Sequence, residues 1–148
     1  MKGTFKIFIG IIVFIAAGSL LYVIGKDALR GNDAIFKDGV TYYNNKQFEA
    51  AEQSLQSEAD RGNKKAYPYL GHTKLILNKP EEAEKYLLLT LEDLKDNSNV
   101  PVKQNVLFNL GSTYLNLKED NKAKTYLQEA AKLGNQEAEE LLIKYNLN

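Results

Sequence analysis

The sequence predicts an all-α protein: three helix pairs in tandem, closed by one further helix and preceded by one membrane-spanning helix. Three observations carry this expectation. An uncharged apolar run of nineteen residues stands near the N-terminus, a glycine–alanine–leucine pattern recurs three times at fixed spacing, and polar turn segments separate the recurring parts. Composition narrows the functions open to the chain. Its 148 residues carry 19 basic and 19 acidic side chains, so no net field draws it to nucleic acid or to a broad anionic surface. It has no cysteine, which excludes disulfides, thiol catalysis, zinc–cysteine sites and acylation at cysteine. His72 is the single histidine, too little for imidazole catalysis or a histidine metal site. No phosphate-binding glycine loop, nucleophile elbow or metal-ligand spacing is present, so the reading is non-enzymatic, with no cofactor and no metal.

Residues 1–6 form a short basic tail with Lys2 and Lys6, and residues 7–25 (Ile7 to Gly25) form the apolar run. At about 1.5 Å per residue, a helix of that length crosses the roughly 30 Å hydrocarbon core of a bilayer. A helix is the single-segment solution there, because lipid offers no partner to an open backbone. Tyr22 stands near the far interface, a setting that suits an amphipathic ring. The alternative is a cleaved signal peptide, with Ala16-Ala17-Gly18 as the cleavage site; Leu20 to Ile24 continue the apolar run past it and favour a retained anchor. Lys2 and Lys6 before the run nearly balance Lys26, Arg30 and Lys37 after it. The short basic tail places the N-terminus inside and the rest outside: a single-pass protein of a bacterial inner membrane facing the periplasm or exterior. Residues 26–32 are a linker, and 33–148 the repeat domain.

Within that domain the repeats run over about 33–60, 65–94 and 105–132. Gly39, Gly71 and Gly111 each precede an alanine by twelve residues (Ala51, Ala83, Ala123) and a leucine by sixteen (Leu55, Leu87, Leu127). The small residues let two antiparallel helices approach closely, and each alanine shares a helix face with the leucine four residues on. Turns fall at Asn44-Asn45-Lys46, Asn78-Lys79-Pro80 and Glu119-Asp120-Asn121. Pro80 suits a first helical turn, where Glu81 and Glu82 complement the dipole. Gly62-Asn63 and Gly134-Asn135 mark the junctions between repeats, glycine in the left-handed position and asparagine as the next N-cap. The step from second to third repeat is eight residues longer than the first, and the extra length is assigned to a polar loop at Leu94 to Pro101, with the third repeat starting near Asn105. A closing helix is expected over 136–146.

These positions resemble the tetratricopeptide repeat, and the Gly-Asn-x-x-Ala junctions resemble the related Sel1-like repeats. Departures from the family pattern are Ile35, Tyr67 and Leu107 at its first-helix aromatic position, Lys74 at its tyrosine in repeat two, and the missing inter-repeat proline. The resemblance implies a right-handed superhelix whose first helices line a concave groove. By register, that groove is lined by Phe36, Val40, Tyr43 and Asn44, by Pro68, Tyr69, His72 and Leu75, and by Phe108, Asn109, Ser112, Leu115 and Asn116. The positions at which some members clamp a C-terminal carboxylate are Phe36, Val40, Tyr69, Asn105 and Asn109 here. None is cationic, so that mode is not expected. The resulting expectation is a membrane-anchored adaptor or scaffold that binds a peptide or helix of a partner protein, in envelope assembly, secretion or chaperoning. A self-assembling repeat element and a cytosol-facing organelle receptor are the alternatives.

Overall fold

The computed structural model describes residues 33–94 and 99–147. The basic tail, the candidate span at 7–25, the linker and part of the inter-repeat loop lie outside the described residues. Among the described residues, no helix is long and apolar enough to cross a membrane, seven α-helices are present and there is no strand. They are α1 (Ala34–Asn44), α2 (Phe48–Asp60), α3 (Tyr67–Ile76), α4 (Pro80–Asp93), α5 (Val100–Asn116), α6 (Asp120–Lys132) and α7 (Gln136–Lys144), with a 3-10 turn at Lys64–Ala66 before α3.

Close approach within each pair depends on the three repeated glycines. A Cβ placed on Gly39, Gly71 or Gly111 would stand 2.9, 2.7 or 2.5 Å from the Cγ of Leu55, Leu87 or Leu127. Those leucines and the three pattern alanines are fully buried. Each first helix thus lies against the leucine of its own second helix, with no room for a side chain between them.

The turns are built alike. Lys46, Asn78 and Lys118, each seven residues after a repeat glycine, adopt positive φ of 58, 57 and 60°. Their neighbours close the Schellman pattern, with Gln47, Lys79 and Glu119 N–H donating to the carbonyls of Tyr42, Lys74 and Tyr114. Between repeats, Gly62 and Gly134 take φ of +83 and +92°. Asn63 Oδ1 then accepts from Lys65 N–H at 3.2 Å, and Asn135 Oδ1 from Ala138 N–H at 2.8 Å.

α5 departs from expectation. Val100 and Pro101, assigned to the loop, form its first turn, and Asn99 Oδ1 accepts from Val102 N–H at 3.4 Å. Proline at the second helical position loses nothing, since its missing donor would have no intrahelical acceptor there. Part of the additional length before the third repeat therefore extends its first helix.

The core is a succession of clusters, each spanning adjacent helices. Ala51, Leu55, Ala59, Ala66, Leu70 and Tyr86 form the first, Ala83, Leu87, Leu94, Val106, Leu110, Tyr114 and Ala123 the second, and Leu107, Leu127, Ala130, Ala138 and Leu142 the third. Such a stack holds together through neighbours only, as repeat arrays do. One polar contact recurs between repeats. Tyr114, three residues after its glycine, donates its hydroxyl to Glu84 at 2.6 Å on the preceding second helix. Lys74 stands at the same register in repeat two and pairs with the equivalent Glu52 at 2.8 Å. Lys74 is almost completely buried and also pairs with Glu82, while Lys79 adds a second cation to Glu52 at 2.7 Å. Burial alone would push the Glu52 carboxyl up, but the hydrogen bonds from Lys74 and Lys79 outweigh it and hold its pKa below the ordinary value. Lys at the tyrosine position is thus the cationic version of one inter-repeat contact.

Candidate functional site

The face carried by the first helices holds a cavity of about 230 Å³ between α3 and α5, closed at one side by α1. Tyr43 of α1, Pro68, Tyr69 and His72 of α3, and Val102, Asn105, Val106 and Asn109 of α5 line it. The α5 residues recur three and four apart and so stand on one helix face. No lining residue carries a formal charge at neutral pH.

Aromatic contacts set the wall. Tyr43 meets Tyr69 edge-on, with centroids 5.3 Å apart and planes at 81°. Phe36 packs edge-on against the same Tyr69 at 6.0 Å, and Phe48 against Tyr43 at 6.1 Å. Edge-to-face pairs of this kind align the positive ring edge with the negative face and add to plain burial. Tyr43 Oη lies 2.5 Å from His72 Nδ1. Burial pushes the His72 imidazole pKa down; burial, then the neighbouring Tyr69, pushes the Tyr43 phenol up. Both groups are therefore neutral at pH 7. Tyr43 Oη and His72 Nδ1 thus share one hydrogen bond between two neutral groups.

Of the register-predicted groove residues, the cavity brings together Tyr43, Pro68, Tyr69, His72 and Asn109. The others lie elsewhere. Phe36 and Val40 pack against the first core cluster, Leu75 against the second, Phe108 against the third, and Leu115 against the second and third. Ser112 is half-buried, and Asn44 and Asn116 are exposed. Phe108 is three residues before Gly111, as Pro68 is before Gly71, yet α7 packs where a further first helix would stand and takes Phe108 into its contact with α5. Val102 falls before the expected start of the third helix pair near Asn105, and Val106 falls inside that pair but outside the register taken for the groove. The Asn99-Val100-Pro101 sequence, a cap followed by a second-position proline, is the signal that places Val102 in the helix.

The structure also reveals a threonine two residues after each glycine. Thr41, Thr73 and Thr113 donate their hydroxyls to the carbonyls of Lys37, Tyr69 and Asn109, at 2.8, 2.7 and 2.7 Å. Thr73 and Thr113 are fully buried, so this internal bond lets a small polar residue occupy the helix contact without an unsatisfied group. The same holds throughout: no buried side-chain nitrogen or oxygen among the described residues lacks a partner.

The repeat geometry is now matched by sequence comparison: residues 104–136 match the family profile described as tetratricopeptide repeat. The chain contains a tetratricopeptide repeat. The match runs from the first-helix face of α5 through α6 to the Gly134-Asn135 junction, and α1–α4 repeat its register. Repeats of this family generally mediate protein–protein interactions. Among curated proteins, none matches the chain.

Proposed function

We propose that this chain is a membrane-tethered interaction module whose first-helix groove holds a segment of a partner protein. The observation that supports it most directly is the uncharged, aromatic-walled cavity on the face of α1, α3 and α5, in a chain containing a tetratricopeptide repeat. Binding, not catalysis, is the activity. Residues 7–25 serve as the anchor, with the repeats outside a bacterial inner membrane and the partner drawn from envelope assembly, secretion or chaperoning. Tethering raises the module's local concentration near membrane complexes.

End-to-end self-assembly is the competing reading, and the end of the stack argues against it. The α7 cap Asn135 and its residues Ala138 and Leu142 stand in the register of Asn63, Ala66 and Leu70. That register places Ile143, 69 % exposed, where Gly71 stands in repeat two. A helix seated on α7 as α4 sits on α3 would collide with it.

A photo-crosslinker at Asn105 in the full chain, against one at exposed Gln53 on α2, tests the groove. Crosslinking of a discrete partner from Asn105 alone, lost on changing Tyr43 and His72 to alanine, is expected; equal yield from both positions refutes it. Alkaline extraction of membranes tests the anchor, since a retained span stays in the pellet. A reporter enzyme fused after Asn148 reads the sidedness.

A further inference from the structure

The two seams between successive repeats are built from different contacts, and the first carries a charge cluster that the second replaces with a phenol. We propose that the seam between repeats one and two is an acid-operated release: as His72 and Glu52 take up protons, α1 and α2 come away from α3 while repeats two and three stay closed. Release withdraws Tyr43 from the cavity wall. That consequence rests on the groove reading, whereas the release itself does not.

At the first seam, Glu52 of α2 is the repeat-one partner of two cations from repeat two. Lys74 Nζ stands 2.8 Å from Glu52 Oε1, and Lys79 Nζ lies 2.7 and 2.8 Å from the two carboxylate oxygens. Among the described residues, the charges facing Glu52 are these two, from α3 and from the turn before α4, with Glu82 of α4 beyond Lys74. Protonating Glu52 leaves the almost fully buried Lys74 with Glu82 alone, and Glu82 belongs to the same repeat as Lys74. The ionic bond across the seam is then lost, and a buried cation short of one partner gains by opening to water. A second charge arises on the groove side. His72 of α3 meets Tyr43 of α1 through Nδ1 and shares the cavity with Tyr69 and with Asn105 and Asn109 of α5. No carboxylate is among the lining groups, so an imidazolium there is buried without a counter-charge.

The second seam answers acid differently. Tyr114 donates its hydroxyl to Glu84 at 2.6 Å, and a protonated carboxyl keeps an oxygen that accepts it. Neutralising Glu84 therefore strands no buried cation. Leu94 and Val106, both buried at the second seam, stand in the register of Gly62 and Ala66 at the first, so the second seam is also the more aliphatic. Gly62 carries the chain across the first seam at φ of +83°, and a Cβ there would meet nothing within 4 Å, which leaves the junction room to turn. A stack held by nearest neighbours opens where the interface is weakest.

Amide hydrogen exchange of the full chain in non-ionic detergent, expressed as protection factors from about pH 7 to about pH 3.5, reads the release with no partner present. Both groups bind protons more weakly in the folded chain: burial is the cause at His72, while at Glu52 burial opposes and the two lysines prevail. Protection of α1 and α2 is therefore expected to fall below pH 6.5 and again below 4.5, by up to about tenfold per pH unit for each proton, while α5 and α6 keep theirs. His72→Gln removes the upper step. Lys74→Tyr, which installs the contact of the second seam, removes the lower. An equal loss of protection from α1 to α6, or a flat profile in α1 and α2, overturns the proposal, and the wild-type chain alone decides this whatever the fold of the variants. A lower step that survives Lys74→Tyr overturns the role of the Glu52–Lys74 pair, and an upper step that survives His72→Gln overturns that of His72.

Discussion

Gly111→Ala isolates the contact on which each helix pair depends. Alanine is favoured over glycine within a helix by about 1 kcal/mol, so at an open site the change would stabilise the protein. Here the added Cβ would stand 2.5 Å from Leu127 Cγ and 3.3 Å from Leu127 N. Carbon pairs settle at about 3.5–4.0 Å, so the overlap exceeds roughly 1 Å. Leu127 is fully buried, and its Cγ is a branch point close to the backbone, so relief requires α6 to shift. Overpacking of this kind costs about 1–3 kcal/mol. Set against the helix gain, the net expectation is a loss of up to about 2 kcal/mol at Gly111. The loss is smaller at Gly71 and smallest at Gly39, where the Cβ distances are 2.7 and 2.9 Å. Urea unfolding of the full chain, followed by far-ultraviolet circular dichroism, measures the series. Gly111→Ala combined with Leu127→Ala should be less destabilised than the sum of the two, because the second change removes the collision created by the first. A gain of stability in Gly111→Ala, or a reversed order across the three sites, refutes the close-approach account.

Three other outcomes follow from the same geometry. Lys118→Gly, at φ of 60°, should stabilise by about 0.5–1 kcal/mol in the same unfolding assay, since the left-handed conformation costs an ordinary residue roughly that or more. Lys74→Tyr, which recreates the Tyr114–Glu84 contact against Glu52, should change stability by less than about 1.5 kcal/mol; Glu52→Ala, which strips the buried Lys74 of its inner partner, should cost about 3 kcal/mol. Acid unfolding should begin in two steps. The His72 pKa is depressed below its ordinary 6.5, so the unfolded chain binds the proton first and stability falls as pH drops below 6.5 toward the folded value. His72→Gln should abolish that step. The Glu52 pKa is also depressed, so its contribution is present above 4.5 and disappears as pH falls through the folded value, and that step should survive in His72→Gln.

The helix pairs and their register were legible in the chain because they follow from local rules. Glycine at the crossing point, alanine and leucine on one helical face, glycine then asparagine at each junction and proline at a helix start act over one or two turns, and a sequence displays that range directly. All three intra-pair turns were legible as polar segments, but not that Lys46 and Lys118 would take the left-handed conformation, since lysine carries no signature for it. The eight extra residues before the third repeat were visible, but their division between loop and helix turned on a single cap at Asn99.

The sequence by itself determined an all-α chain of three equivalent helix pairs, uncharged along the predicted groove, with a candidate span lying before them. Only the tertiary structure decided which groove residues meet. Register treats Pro68 and Phe108 as equivalent, yet Pro68 lines the cavity and Phe108 packs on the third cluster. Lys74 reads only as a departure at the tyrosine position, yet it is buried between Glu52 and Glu82. His72 reads as a lone histidine of the groove, yet Tyr43 from the preceding repeat hydrogen-bonds its Nδ1. The physical reason is the same in each case. Helix periodicity specifies the direction of a side chain about its own axis, whereas burial, ion pairing and hydrogen bonding depend on the residue opposite, most often on another helix pair, and on the stacking that brings it there.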